Sequence, residues 1–162
     1  MTHPVNVVAR GERELVITRS FDAPRHLVFE AHTVPALMRR WFTGPDGWAL
    51  TTCEIDLRPG GTYRYVWSHQ DGRSMGMGGT FREVEPPALL VSVELFDEDW
   101  TGGETLNTAT FEERDGRTML TTTVLYASAA ARDGAAASGM ETGMEASYAK
   151  LDGLLAEATT GA

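Results

Sequence analysis

The sequence predicts an α+β fold in which a curved antiparallel sheet wraps around one long C-terminal helix, with two short helices after the first strand. Three observations predict it. From about residue 51 to 126 the pattern has period two and is broken by turn pairs, which reads as consecutive antiparallel strands. Met140, Met144, Tyr148, Leu151 and Leu155 then recur at spacings of four, four, three and four, one face of a helix about 28 Å long over 139–157. That stripe is the one large apolar helix face in the chain, so a sheet with one apolar face must close on it.

The elements follow in order. Residues 1–12 are polar, carry Pro4 and Gly11, and read as a mobile lead-in to a single domain over 13–157. Glu14–Phe21 is rich in Leu, Val, Ile and Thr and reads as the first strand. Asp22-Ala23-Pro24 stops it and starts a short helix, with Asp22 placed to accept from free backbone N–H groups. Thr33 and Pro35 repeat that signal for a second short helix over 35–41. Phe42–Ala49 is loop, marked by Gly44-Pro45-Asp46-Gly47. Tyr63, Tyr65 and Trp67 alternate with Arg64, Val66 and Ser68, and Asp71-Gly72 turns this strand into the next, Met75–Glu85. Pro86-Pro87 ends that strand, Leu89–Phe96 follows, and Thr105–Glu113 with Arg117–Tyr126 forms a last hairpin around Asp115-Gly116. Ser128–Ala137 reads as a short Ala-rich helix, Ser138-Gly139-Met140-Glu141 as a capping box for the long one, and 158–162 as a fraying end.

Composition narrows the function. The chain has 162 residues, 42% apolar and 23% charged, ordinary values for one folded domain that needs no staple. Fourteen basic against 23 acidic residues give a net charge of −9, which repels phosphate backbones and anionic lipid, so no nucleic acid and no membrane is expected as partner. Cys53 is the single cysteine and cannot form an internal bridge. No basic stretch followed by an apolar run opens the chain, and no run of 18 apolar residues occurs, so a cytoplasmic protein is expected.

Chemistry-bearing motifs are scarce. His3, His26, His32 and His69 are scattered without the i, i+4 spacing of a zinc site, so no metal and no cofactor is expected. There is no nucleophile elbow and no cysteine-protease signature. Gly76-Met77-Gly78-Gly79 lies inside a strand, where it bends the strand or lets something approach closely rather than holding phosphate. Asp97, Glu98 and Asp99 read as a solvated acidic loop.

The candidate site is an apolar set on facing elements: Tyr63, Tyr65, Trp67, Met75, Met77, Phe81 and Phe96 on strands, with Met140, Met144 and Tyr148 on the helix. Small residues (Gly139, Gly143 and Ser147) accompany the methionine end of the helix, while Leu151, Leu154 and Leu155 crowd its far end. A helix thin at one end leaves free volume there, so the pocket is expected at the Met140–Met144 end, with the Trp41–Trp48 loop as a mobile lid.

The chain resembles the bacterial stand-alone proteins related to the C-terminal domain of the activator of the heat-shock-90 ATPase, in the START-like (SRPBCC) superfamily with its helix-grip, Bet v-like fold. The matching pieces run in order over about 13–157. They are Arg19-Ser20-Phe21-Asp22-Ala23-Pro24, Val28-Phe29-Glu30-Ala31, Arg40-Trp41-Phe42 and Asp56-Leu57-Arg58-Pro59-Gly60-Gly61, then Tyr63-Arg64-Tyr65 and the run from Met75 to Pro87. Thr110-Phe111-Glu112-Glu113 and Ser138-Gly139-Met140-Glu141 with Gly143-Met144 complete the set. The resemblance implies a cavity between sheet and long helix, without implying one activity; superfamily members include lipid carriers, hormone receptors, cyclases and aromatases.

Three functions therefore compete. The first is a binding protein for a small apolar or aromatic molecule. The second is a cyclase- or hydrolase-type enzyme using Glu94, Asn107 or Tyr148 in the same cavity. The third is a protein-interaction or co-chaperone-like module docking through the Trp41–Trp48 loop or the acidic loop at Trp100, as a monomer or homodimer. A catalytic signature is absent from the sequence, and the ligand is not written in it.

Overall fold

The computed structural model describes residues 3–98 and 102–160. Asp99 and Trp100, part of the acidic loop singled out above, lie outside the described residues. The elements in chain order are β1 (Asn6–Arg10), β2 (Glu14–Phe21), α1 (Arg25–Ala31), α2 (Pro35–Trp41), β3 (Trp48–Ile55), β4 (Thr62–His69), β5 (Ser74–Glu85), β6 (Leu89–Phe96), β7 (Thr105–Arg114), β8 (Arg117–Leu125), α3 (Ala129–Ala136) and α4 (Met140–Thr160).

One eight-stranded antiparallel sheet has the order β1-β2-β8-β7-β6-β5-β4-β3. After β2 the chain leaves through α1 and α2, re-enters at β3 on the opposite edge, and walks back strand by strand until β8 pairs with β2. The predicted open, curved sheet gripping a C-terminal helix is the observed fold.

Alternation explains which face is inside. Along β2 every second residue is buried: Leu15, Ile17, Arg19 and Phe21. These join Phe111 of β7, Leu120 and Val124 of β8, and Tyr148, Leu151, Leu154 and Leu155 of α4 in one core cluster, to which α1 and α2 add Val28, Phe29 and Trp41. Arg19 is the exception on that face, 4% exposed, and it meets Asp152 of α4 through two hydrogen bonds of 2.8 and 2.6 Å.

Several local expectations are corrected. Residues 6–10, placed in a mobile lead-in, form β1 on the edge of β2. Trp48 and Ala49, placed in a loop, open β3, where Trp48 pairs with His69. Asp22 does not cap α1. Its carboxylate faces His3 and Arg117, and Glu113 of β7 accepts from the Arg25 N–H instead. Thr33 donates back to Phe29 O rather than capping α2. The expected capping box fails as well. Ser138 Oγ donates to Ala135 O at the end of α3, and Gly139 lies outside α4 at φ +80°, the left-handed conformation that turns the chain between the two helices. Thr159 and Thr160, expected to fray, complete the last turn of α4 with hydroxyls on Leu155 O and Ala156 O.

Candidate functional site

The inner face of the sheet is built by alternation on adjacent strands. Tyr63, Tyr65 and Trp67 of β4 point inward and stand beside one another, with ring centroids 5.1 and 6.0 Å apart. Phe81 of β5 continues the row at 4.9 Å from Tyr63. Together with Met38, Leu50, Cys53 and Met77 they form a second core cluster, against which Phe96 and Val84 pack. No residue of α4 belongs to this second cluster.

The predicted site residues therefore divide. Tyr63, Tyr65, Trp67, Met77, Phe81 and Phe96 come together on the wall of β4, β5 and β6. Met75, opposite Trp67 in the register, is 42% exposed at the end of β5. Trp41 and Tyr148 lie in the other cluster, stacked at 5.8 Å, and Met140 and Met144 are half-buried against it. Trp41 is 2% exposed and its indole N–H donates to Ala31 O, so it anchors α2 in the core. Gly143 faces Pro45, whose Cδ lies 4.0 Å from where a Cβ would stand. Ser147 Oγ accepts from the Gly44 N–H, and Lys150 Nζ donates to Thr43 Oγ1, so the loop after α2 is tied to α4.

Phe42 and Leu90 both link the clusters, and Phe42 was missed by sequence reasoning. Phe42 packs against both, 5.3 Å from Trp41, 5.5 Å from Tyr65 and 5.3 Å from Trp67, and its carbonyl accepts the Trp67 indole N–H. Its position just after α2, in what reads as loop, hid it.

Polar groups occupy the inner face between the clusters. Glu94 of β6 is half-buried, and Tyr63 Oη donates to its Oε2 at 2.8 Å. Ser92 Oγ lies 3.1 Å from the same Tyr63 oxygen. The carboxylate bears on Tyr65 of one cluster and Tyr126 of the other, which places it at their boundary. Asn107 of β7 stands opposite Ser92 and donates to Thr105 Oγ1 at 2.9 Å.

Burial sets the protonation of this group. Desolvation pushes the Glu94 carboxyl above the usual carboxylate range, against the smaller opposing effect of the Tyr63 hydrogen bond. Desolvation and the Glu94 charge both hold Tyr63 and Tyr65 in their neutral form.

A glycine makes the Tyr63–Glu94 contact possible. In the register Gly79 lies between Tyr63 on β4 and Glu94 on β6. A methyl group at Gly79 would overlap the Tyr63 ring, so the absent side chain lets that ring lie across β5 and reach the next strand. The close approach expected of the glycine run is realised here.

The two clearest concavities are surface grooves without α4 residues. One, about 900 Å³, is lined by His3, Ser20, Arg117 and Met119 with the β7–β8 turn; the other, about 270 Å³, by Glu54, Asp56, Tyr63 and Arg64 among others. Among the described residues no three His, Cys, Asp or Glu side chains gather as a metal site, and no helix is long and apolar enough to cross a membrane.

With this geometry in hand, the family model for the Activator of Hsp90 ATPase homolog 1-like proteins matches residues 22–156. The chain belongs to this family. The match spans α1 to α4 and so covers the helix pair, the meander and the aromatic wall. A crystal structure of a protein from Rhodobacter sphaeroides is 38% identical over 94% of this chain and 98% of its own, with a TM-score of 0.89. A protein from Mycobacterium smegmatis is 29% identical over 94% and 97% at a TM-score of 0.81, and one from Arthrobacter aurescens 28% identical over 94% and 91%, also at 0.81. No curated protein matches. Membership in the activator-of-Hsp90-ATPase-like family accounts for the helix grip and leaves the function to be argued from the residues.

Proposed function

We propose that the chain binds a small apolar or aromatic molecule between the inner face of the sheet and the N-terminal half of α4. One observation carries the reading: the aromatic wall of Tyr63, Tyr65, Trp67 and Phe81 has no α4 side chain packed on it, although the sheet curves around that helix. Broad rings beside Met77, with half-buried Met140 and Met144 on the helix, suit a ligand of irregular apolar shape. Ser92, Glu94 and Asn107 supply a few convergent polar groups.

The test uses phenylnaphthylamine, a neutral fluorescent probe. Binding with micromolar-order affinity, about −8 kcal/mol, and energy transfer from tryptophan are expected. Asn107→Phe places a ring in the middle of the inner face and should weaken the probe tenfold or more. Thr108→Phe, one residue along on the opposite face, should leave it unchanged. Both variants should keep the parent's cooperative urea unfolding. If the parent does not bind the probe, or Asn107→Phe binds it equally well, the reading is wrong and a protein-docking role takes its place.

A further inference from the structure

Glu94 is a part-buried carboxyl without a cation. Among the described residues its one hydrogen-bond partner is Tyr63, and no Lys, Arg or His pairs with it. The groups that face it are neutral acids or alcohols: Tyr63 and Tyr65 from β4, Tyr126 after β8, and Ser92 on its own strand. Glu94 Oε1 has no partner among the described residues and is not sealed in the interior, so it is open to a ligand that completes it.

The hydrogen-bond geometry settles which atom is free. Tyr63 has one phenolic proton and spends it on Oε2. With Tyr63 donating to Oε2 rather than to Ser92 Oγ, the proton of a protonated Glu94 sits on Oε1, the oxygen that has no partner among the described residues. We propose that Glu94 is the polar anchor of this site: Oε1–H, with Oε2 held by Tyr63, donates a hydrogen bond to the carbonyl oxygen of an otherwise apolar, aromatic ligand. The proposal rests on the binding reading of the inner face. A carbonyl keeps the contact neutral inside an aromatic wall. An ammonium ligand would place two charges there, with desolvation of both to overcome. The raised ionisation of Glu94 agrees with a donor role.

Three probes of one size distinguish the alternatives: acetylnaphthalene, ethylnaphthalene and naphthylmethylamine, each competed against phenylnaphthylamine. The ketone should bind about tenfold tighter than the hydrocarbon at low pH, equivalent to about 1.4 kcal/mol. That preference should fall as the pH rises above the ordinary carboxylate range and Glu94 loses its proton. Glu94→Gln keeps an N–H donor with no titrating proton, so the ketone preference should drop a few-fold and become flat with pH. Glu94→Val should abolish it. Tyr63→Phe, which frees the carboxyl to rotate, should lower it while leaving ethylnaphthalene bound. Equal binding of ketone and hydrocarbon, or tightest binding of the amine, overturns the anchor while the pocket stands. If none of the three displaces the bound probe, the anchor falls; if the probe itself does not bind, the pocket falls with it.

Discussion

His32 shows how a single buried side chain couples this fold to pH. Its Nδ1–H donates to Val28 O at 2.8 Å, while Nε2 is buried without a partner. The ring stands edge-on to Trp41 at 4.8 Å and to Phe111 at 5.5 Å. Burial depresses the imidazolium to about 4, against the smaller upward pull of the Val28 bond. The unfolded chain holds its histidine near the ordinary value of about 6.5 and so binds more protons between the two values. Stability is then fully present above about 6.5 and declines as pH falls toward 4, by on the order of 3 kcal/mol from this group. Urea midpoints at pH 7 and near 4.5 should differ less in His32→Phe than in the parent. Glu94, which binds its proton more readily when folded, works in the opposite direction in both proteins, so the comparison isolates the histidine. An equal drop in both would show that His32 is not the group responsible.

At the scale of elements, two glycines have opposite roles that composition does not separate. Gly79 is inside β5 because the Tyr63 ring occupies the place of its side chain. Gly79→Ala should destabilise by about 1–3 kcal/mol, the range for overpacking, and should break the Tyr63–Glu94 contact. Gly153 is inside α4 with nothing within 4 Å of the place a Cβ would take, so Gly153→Ala should stabilise by about 1 kcal/mol. Chemical denaturation of the pair checks both signs; a stabilising Gly79→Ala would contradict the ring-over-glycine geometry. The hairpin itself was legible: Asp71-Gly72 marks the turn between β4 and β5. The helix caps were not. Asp22, Thr33 and Ser138 each found another partner, because a short polar side chain at a helix start competes for whatever donor or acceptor the tertiary fold brings near.

For the whole molecule, the clamp between sheet and helix is Arg19 with Asp152. The guanidinium lies between the rings of Phe21 and Tyr148, 4.8 and 5.7 Å from their centroids, and forms a two-bond fork with the carboxylate. A buried pair like this adds little beyond a good apolar contact, but removing one partner leaves an uncompensated charge. Asp152→Ala should therefore cost about 3 kcal/mol in urea denaturation, far more than Arg40→Ala, which breaks an exposed pair with Glu157. Equal losses would mean that the Arg19 pair is no tighter a clamp than the surface one.

The sequence by itself determined the order of the elements from β2 onward, the antiparallel meander, the long C-terminal helix and the family, because period-two and helical patterning are local and survive without knowledge of neighbours. It also named Tyr63, Tyr65, Trp67, Met77 and Phe81, which do share one wall. Only the tertiary structure decided that this wall and the α4 stripe belong to two clusters, joined through Phe42 and Leu90, with Glu94 at their boundary. It also decided that Trp41 is core rather than lid, and that Gly143 faces a loop. Alternation fixes which face a side chain takes on its own strand or helix. Which partner it meets there depends on sheet curvature and on where a distant helix docks, and those are set by long-range packing that no local pattern encodes.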